Sequence, residues 1–430
     1  MEALIEEMVD LMEDKVESFL REQELLADGY DFREEVRRFS DDMEQGLSGE
    51  KRSLQMLPAY IDVPKPGAGP GRAGSHEDVL AIDAGGTNLR AALVRFRDGE
   101  KPEILAQEKT KIPGTEGAIS PDEFFDGIAT SAAPYAASAE RAGFCFSYAS
   151  EVLPNLDARI LYFSKEVIVR NAKGALLGEG LNAAFRRRGF AEKQIVVLND
   201  TVAALLGVLA AAGGRRDYKG YIGMVFGTGL NHCYREPSKG MLINTESAGY
   251  AGFRRGSCDT ALDKASANPG TQLLEKMVSG AYFGELALRV MKAAAAGGLV
   301  GPETSARVRA LETLKASEIT AHLDILTGGN SADRRVLFVL TEALHDRAAK
   351  LLAICIAAMM ERGGNSMNGE SVSGEPQIIV CEGSAFHKRE RFRERFEKAL
   401  SEGGAGPYEI AAADDAAVLG AAVAALHGAL

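Results

Sequence analysis

Two short turns in this sequence have the composition of an anion cradle. Asp83-Ala-Gly-Gly-Thr-Asn88 sets two glycines at a bend between apolar runs. Backbone N–H groups can then come close to an anion, and Thr87 and Asn88 add donors. No Gly-Lys-Ser/Thr follows, so this is not a Walker loop; a strand pattern follows where a dinucleotide fingerprint requires a helix. A plain hairpin turn has the same look. Gly227-Thr228-Gly229 is a second bend of small residues between apolar runs. A nucleotide tail presents several phosphates, so the two turns together say more than either alone.

The carboxylates come next. Asn199-Asp200-Thr201 lies where a buried strand pattern meets a helix pattern. Asp or Thr there could be a helix N-cap. A carboxylate at the C-terminal end of a strand also sits where α/β domains hold ligands, and it could accept a hydroxyl proton. Glu246 and Glu275 are carboxylates among apolar or small residues. Charges in such surroundings need partners. A polyhydroxyl ligand would serve, and so would a neighbouring lysine. Ser147, Ser164 and Lys165 carry no signal singly.

The elements that must position these residues alternate. LAIDAGGTNLRAALVRF has the pattern of a β-hairpin, and IVVLNDTVAALLGVLA that of a buried strand, a capping turn and a helix. YIGMVFGTGLNHCY is a second strand-turn-strand, helices dominate from about 270 to 362, QIIVCEGSAF is a strand entering a turn, and AAVLGAAVAALHGAL is a terminal helix. Residues 1 to about 56 look helical and charged. Pro64–Ser75 has the composition of a linker, and 363–375 that of an exposed loop. No internal repeat is visible. The alternation favours a three-layer α/β architecture.

With 430 residues, two or three domains are expected. The net charge of −12 gives no general attraction for nucleic acid. Five cysteines, Cys145, Cys233, Cys258, Cys355 and Cys381, are scattered without the spacing of a zinc site or a disulfide framework. At the N-terminus Leu4, Met8, Leu11, Met12, Phe19 and Leu20 fall at helical spacing in an acidic stretch. It lacks the basic start and apolar block of a signal peptide. The longest apolar runs are too short to span a bilayer, so a cytoplasmic protein with no membrane partner is expected.

The motifs IDAGGTNLR, LNDTVAALLG, FGTGLN, INTE, NPGTQLLEKMVSG and CEGSAF occur in an order and at a spacing that resemble the hexokinase family, over about Leu57 to the C-terminus. The single-unit length and the variant motifs look bacterial in style. The resemblance implies a two-domain actin-like ATPase (ribonuclease H-like) fold with a cleft between a small and a large domain. It implies residues 1–78 and 201–414 in the large domain, and 79–200 and 415–430 in the small one. The implied activity is ATP-dependent phosphorylation of a hexose such as glucose at its 6-hydroxyl, with Mg²⁺ as cofactor and with the sugar drawing the domains together.

On the matching positions, Asp83, Gly85, Gly86, Thr87, Asn88, Arg90, Gly227, Thr228, Gly229, Gly383 and Ser384 would hold the nucleotide. Asp200 and Lys165 would be catalytic, with Asp200 as the base. Ser147, Ser164, Lys165, Asn199, Asp200, Asn231, Glu246 and Glu275 would hold the sugar. Three places depart from the family pattern: Tyr148-Ala149 where F-S-F-P ends, Phe163-Ser164-Lys165-Glu166 for W-T-K-G, and Glu382 for the Asp before Gly-Ser. A catalytically silent sugar sensor could keep the same fold, but Asp200 and Lys165 are both present. Another ATPase of the actin-like fold would explain the glycine turns but not Asn199-Asp200, Glu246 and Glu275 together.

Overall fold

The computed structural model describes residues 14–65, 76–86, 88–163, 167–213, 216–364 and 375–428. Thr87, Ser164 and Lys165, residues 1–13, most of the linker and most of the 363–375 loop lie outside the described residues.

The hairpin expected around Asp83–Asn88 forms. Strands β1 (Leu57–Pro58), β2 (His76–Gly85), β3 (Asn88–Arg97) and β4 (Glu103–Lys111) come first. β2 and β3 pair antiparallel from His76↔Arg97 to Gly85↔Asn88. Strands β5 (Arg141–Phe146), β6 (Ser150–Val152), β7 (Ala158–Ile160) and β8 (Gln194–Leu198) follow. β5 runs parallel to β2, and β8 parallel to β5, so the first sheet has the order β4-β3-β2-β5-β8.

The second sheet is built from β9 (Tyr221–Phe226), β10 (Leu230–Glu236), β11 (Met241–Asn244), β12 (Gln377–Glu382) and β13 (Tyr408–Ala411). Its order is β1-β11-β10-β9-β12-β13, with β9, β10 and β11 antiparallel and β12 and β13 parallel to β9. Both sheets therefore repeat one plan: an antiparallel meander of three strands, then a fourth strand parallel beside the first and a fifth parallel beside the fourth. The sequence shows no repeat because the plan resides in backbone hydrogen bonding and in which faces are buried, not in residue identity. The two glycine turns occupy the same place in the plan, between its first and second strands.

Two helices, Asp200–Ala211 and Ala416–His427, pack between the sheets: the first against β9, the second against β2 and β5. Thr201–Leu209 is buried throughout, as expected of a helix that is apolar all round. Glycine lets these backbones touch. A Cβ at Gly207 would overlap the Ala416 carbonyl, one at Gly420 the Ala203 carbonyl, and one at Gly143 in β5 the Ala421 carbonyl. This contact fixes the start of the 200–211 helix, and with it Asp200, relative to both sheets.

The helices Pro121–Ala136 and Leu177–Arg187 pack together over the first sheet. The former opens with a capping box between Ser120 and Glu123. A helical lobe between β11 and β12 is organised by the 32-residue helix Ser331–Arg362. Its buried Arg347 makes two 2.8 Å bonds to Asp259, which neutralises both charges away from water. No helix among the described residues is long and apolar enough to cross a membrane.

Candidate active site

Asn199 joins β8 to the 200–211 helix. Its backbone is extended, and its Oδ1 accepts from the Thr201 N–H at 2.9 Å and the Thr201 hydroxyl at 2.5 Å. The cap left between Asp200 and Thr201 at the sequence level thus belongs to Asn199, whose short amide reaches the N–H two residues on. Capping does not account for Asp200.

Asn199 also begins a connected set of amides and carboxylates. Asn231 Nδ2 lies 3.4 Å from Asn199 Oδ1, 2.8 Å from Asn244 Oδ1 and 3.5 Å from Glu246 Oε1. Asn244 Nδ2 donates to Glu246 Oε1 at 2.7 Å. β10 and β11 bring these groups together, since Cys233 pairs with Asn244. Glu246 sits in the left-handed region (φ 52°), a conformation that costs a non-glycine residue roughly 1–3 kcal/mol unless its surroundings enforce it. Burial pushes its carboxyl up, the Asn244 bond opposes, and the Asp200 charge reinforces. Glu275 adjoins from the Leu273–Val278 helix, its Oε2 accepting from the Leu230 N–H at 2.9 Å. Asn244 was not singled out in the sequence; an amide ending the apolar run MLIN was its signal.

Asp83 lies at the end of β2, side by side with Cys145 in β5. It is 7% exposed. Burial pushes its carboxyl up to about 6; Arg90 at 3.4 Å and the Cys145 thiol oppose, and the Asp200 and Asp415 charges reinforce. The Asp200 charge thus bears on both Asp83 and Glu246. Beyond Asp83 the turn continues through Gly85, beside Ser147 Oγ, to Gly86 at φ +58°. Ser147 N–H bonds back to the Ala84 carbonyl at 3.1 Å.

The second turn is braced from behind. Gly227 N–H reaches Gly229 O at 3.0 Å, while Gly280 and Ala281 N–H, at the start of the Gly280–Ala296 helix, donate to Gly227 O and Thr228 O at 2.8 and 3.0 Å. A Cβ on Gly229 would fall 2.8 Å from Glu275 Oε2, and one on Gly227 would come 3.6 Å from both Gly383 Cα and Ser384 N. Gly383, at φ +105°, could not carry a side chain without striking the Phe226 carbonyl. Of the residues singled out in the sequence, Asp83, Gly85, Ser147, Asn199, Asp200, Asn231, Glu246 and Glu275 thus cluster or bear on one another electrostatically, and Gly227, Gly229, Gly383 and Ser384 form an adjoining corner. Arg90 faces Asp83.

Two family models, each described as hexokinase, match residues 6–209 and 221–427 in turn.

The chain belongs to the hexokinase family.

Hexokinase-1 of Oryza sativa subsp. japonica is 29% identical over 90% of this chain and 86% of its own length. Hexokinase-3 of Mus musculus is 31% identical over 58% of this chain, though the match spans 28% of that larger protein. Among solved structures, a hexokinase from Schistosoma mansoni complexed with glucose superposes with a TM-score of 0.73 at 23% identity, over 96% of this chain and 99% of that one. A second hexokinase crystal structure gives 0.77 at 23% identity, over 97% and 100%. The shared fold is the two-domain actin-like one, and the repeated strand plan is its signature in this hexokinase. Its departures from the family pattern have definite surroundings. Tyr148 packs at a tilt against Phe146 and Phe163, Phe163 meets Phe124 edge-on, and Glu382 accepts the Ala413 N–H at 3.1 Å.

Proposed function

We propose that this hexokinase transfers the γ-phosphoryl group of ATP to the 6-hydroxyl of a hexose, glucose first among them, with Asp200 as general base. The observation that carries the proposal is the linked set Asn199–Asn231–Asn244–Glu246, adjoined by Glu275 and bearing on Asp200. Carboxylates and amides in such a set can each hold adjacent hydroxyls, and a sugar lacking one would leave buried groups unpaired. The solved Schistosoma mansoni relative holds glucose, and we extend that sugar to this chain.

Phosphoryl transfer needs little covalent chemistry from the protein; positioning and electrostatics dominate. The Gly85–Gly86 and Gly227–Gly229 turns would receive the phosphates on backbone N–H groups, with Gly383 and Ser384 at the edge of the nucleoside. Asp200, fixed at the start of a helix wedged between the sheets, would orient the hydroxyl and take its proton. A Mg²⁺ carried by the nucleotide would neutralise phosphate charge, and the hard carboxylate oxygens of Asp83 and Asp200 suit such an ion.

The proposed division puts 1–78 and 201–414 in the large domain, and 79–200 and 415–430 in the small one. Ser147, Asn199 and Asp200 then lie in the small domain or at its edge, and Asn231, Glu246 and Glu275 in the large one. A sugar held from both sides binds the closed form better and so favours closure. The test is ADP release with and without a panel of hexoses, with the phosphorylated product identified by mass. ADP should form with a hexose and stay near background without one. Equal ADP release in both cases would overturn the proposal.

A further inference from the structure

We infer that the Tyr148 hydroxyl is a positioning group that ties the segment after Ser147 to the first phosphate turn. Tyr148 follows Ser147 and is 2% exposed. Its ring is fixed by Phe146 and Phe163, at centroid separations of 5.2 and 5.1 Å, and Phe163 in turn meets Phe124 at 5.2 Å. From this cluster the hydroxyl reaches out and donates to the Gly86 carbonyl.

Gly86 sits at φ +58°. Its carbonyl is part of the turn's backbone, so a bond to that carbonyl holds the turn in this conformation. Phe163 lies on the chain immediately before Ser164-Lys165. The aromatic cluster thus precedes Ser164-Lys165 in the chain and, through a single hydroxyl, stands behind the phosphate turn. The family pattern has Phe where Tyr148 stands, and Phe cannot donate, so the link belongs to this chain. Burial pushes the phenol up, which keeps it protonated as a donor throughout the working range.

The inference rests on the reading of Asp83–Asn88 as a phosphate turn, and the experiment separates the two. Tyr148→Phe keeps the ring and removes the donor. The net worth of one such bond corresponds to a change of about three- to tenfold. The KM for ATP should rise by that factor while the KM for glucose stays within about twofold. Phe124→Leu loosens the same cluster without touching the bond; it should lower the melting temperature and leave the KM for ATP in place. Gly86→Ala, which forces a side chain into the left-handed region, should raise the KM for ATP. If Gly86→Ala raises it and Tyr148→Phe does not, the role of Tyr148 is refuted and the turn stands. If neither does, both readings fail. If Phe124→Leu raises it as much as Tyr148→Phe, the effect is loosened packing and the positioning role is refuted.

Discussion

Asp83→Asn should make the unliganded protein more stable and the enzyme worse. Asp83 is 7% exposed, and Arg90, its cationic neighbour among the described residues, is 3.4 Å away. Burial raises its carboxyl from 3.8 to about 6. Two pH units correspond to about 3 kcal/mol, by which the folded state disfavours the ionised form relative to the unfolded chain. The sign follows from proton linkage. A raised folded pKa means stability is full below the unfolded value and is lost as pH rises to the folded value, here from about 4 to about 6. Asn mimics the protonated state at every pH, so its advantage should be about 3 kcal/mol at pH 7.5 and about half that at pH 5.

An unfolding entropy of about 2.1 cal/mol/K per residue makes 3 kcal/mol worth roughly 3 °C in a chain of this length. Calorimetry or dye-monitored melting of both proteins at the two pH values measures the difference. Catalysis should fall in Asp83→Asn, since the proposed phosphate turn loses its carboxylate. In the wild type, kcat/KM for ATP should drop as pH falls through about 6. A variant less stable than wild type at pH 7.5, or an advantage of equal size at both pH values, would refute the claim that Asp83 is a destabilising buried charge kept for function.

Glu246→Ala and Glu275→Ala should each raise the KM for glucose about tenfold or more, with the KM for ATP changed far less, as befits lost hydrogen bonds to a charged acceptor; an unchanged sugar constant with a lower melting temperature would mark them as structural charges. Excess chelator should abolish turnover, and Mg²⁺ should restore it; full activity in chelator would rule out the proposed cofactor. Saturating glucose should reduce the radius of gyration in small-angle X-ray scattering, and a sugar that is not phosphorylated should not. Unchanged scattering with a sugar shown to bind would rule out closure. The chain has no tryptophan, so intrinsic tryptophan fluorescence cannot stand in for this measurement.

Much of the site is legible in the sequence because its anchors are local. The Asp83–Asn88 hairpin and the strand-cap-helix around Asn199–Asp200 are each set by one short stretch of turn chemistry and apolar patterning, and both form, though the cap is Asn199 rather than Asp200 or Thr201. What depends on long-range pairing was not legible. β12 joins β9 in register Ile378↔Tyr221 across more than a hundred residues, which places Gly383 against Gly227. Asn244 enters the amide–carboxylate set because β11 folds back on β10, and the cap falls to Asn199 because its amide reaches the Thr201 N–H. Beyond the glycine turn between its first two strands, the shared plan of the two sheets is not visible as a sequence repeat. Tyr148 shows in the sequence as a departure, but its bond to Gly86 depends on β2 and β5 lying side by side.

The most direct test of the central claim is single-site: Asp200→Asn, with turnover measured at saturating ATP and glucose and glucose affinity measured by calorimetry. Asn keeps the shape and a hydrogen-bonding oxygen but cannot accept the hydroxyl proton. Turnover should fall by about 10²–10⁴, the usual worth of a positioned base, while glucose affinity stays within a few-fold of wild type. Turnover within a few-fold of wild type, in a folded protein that binds glucose normally, would show that the hydroxyl proton goes elsewhere.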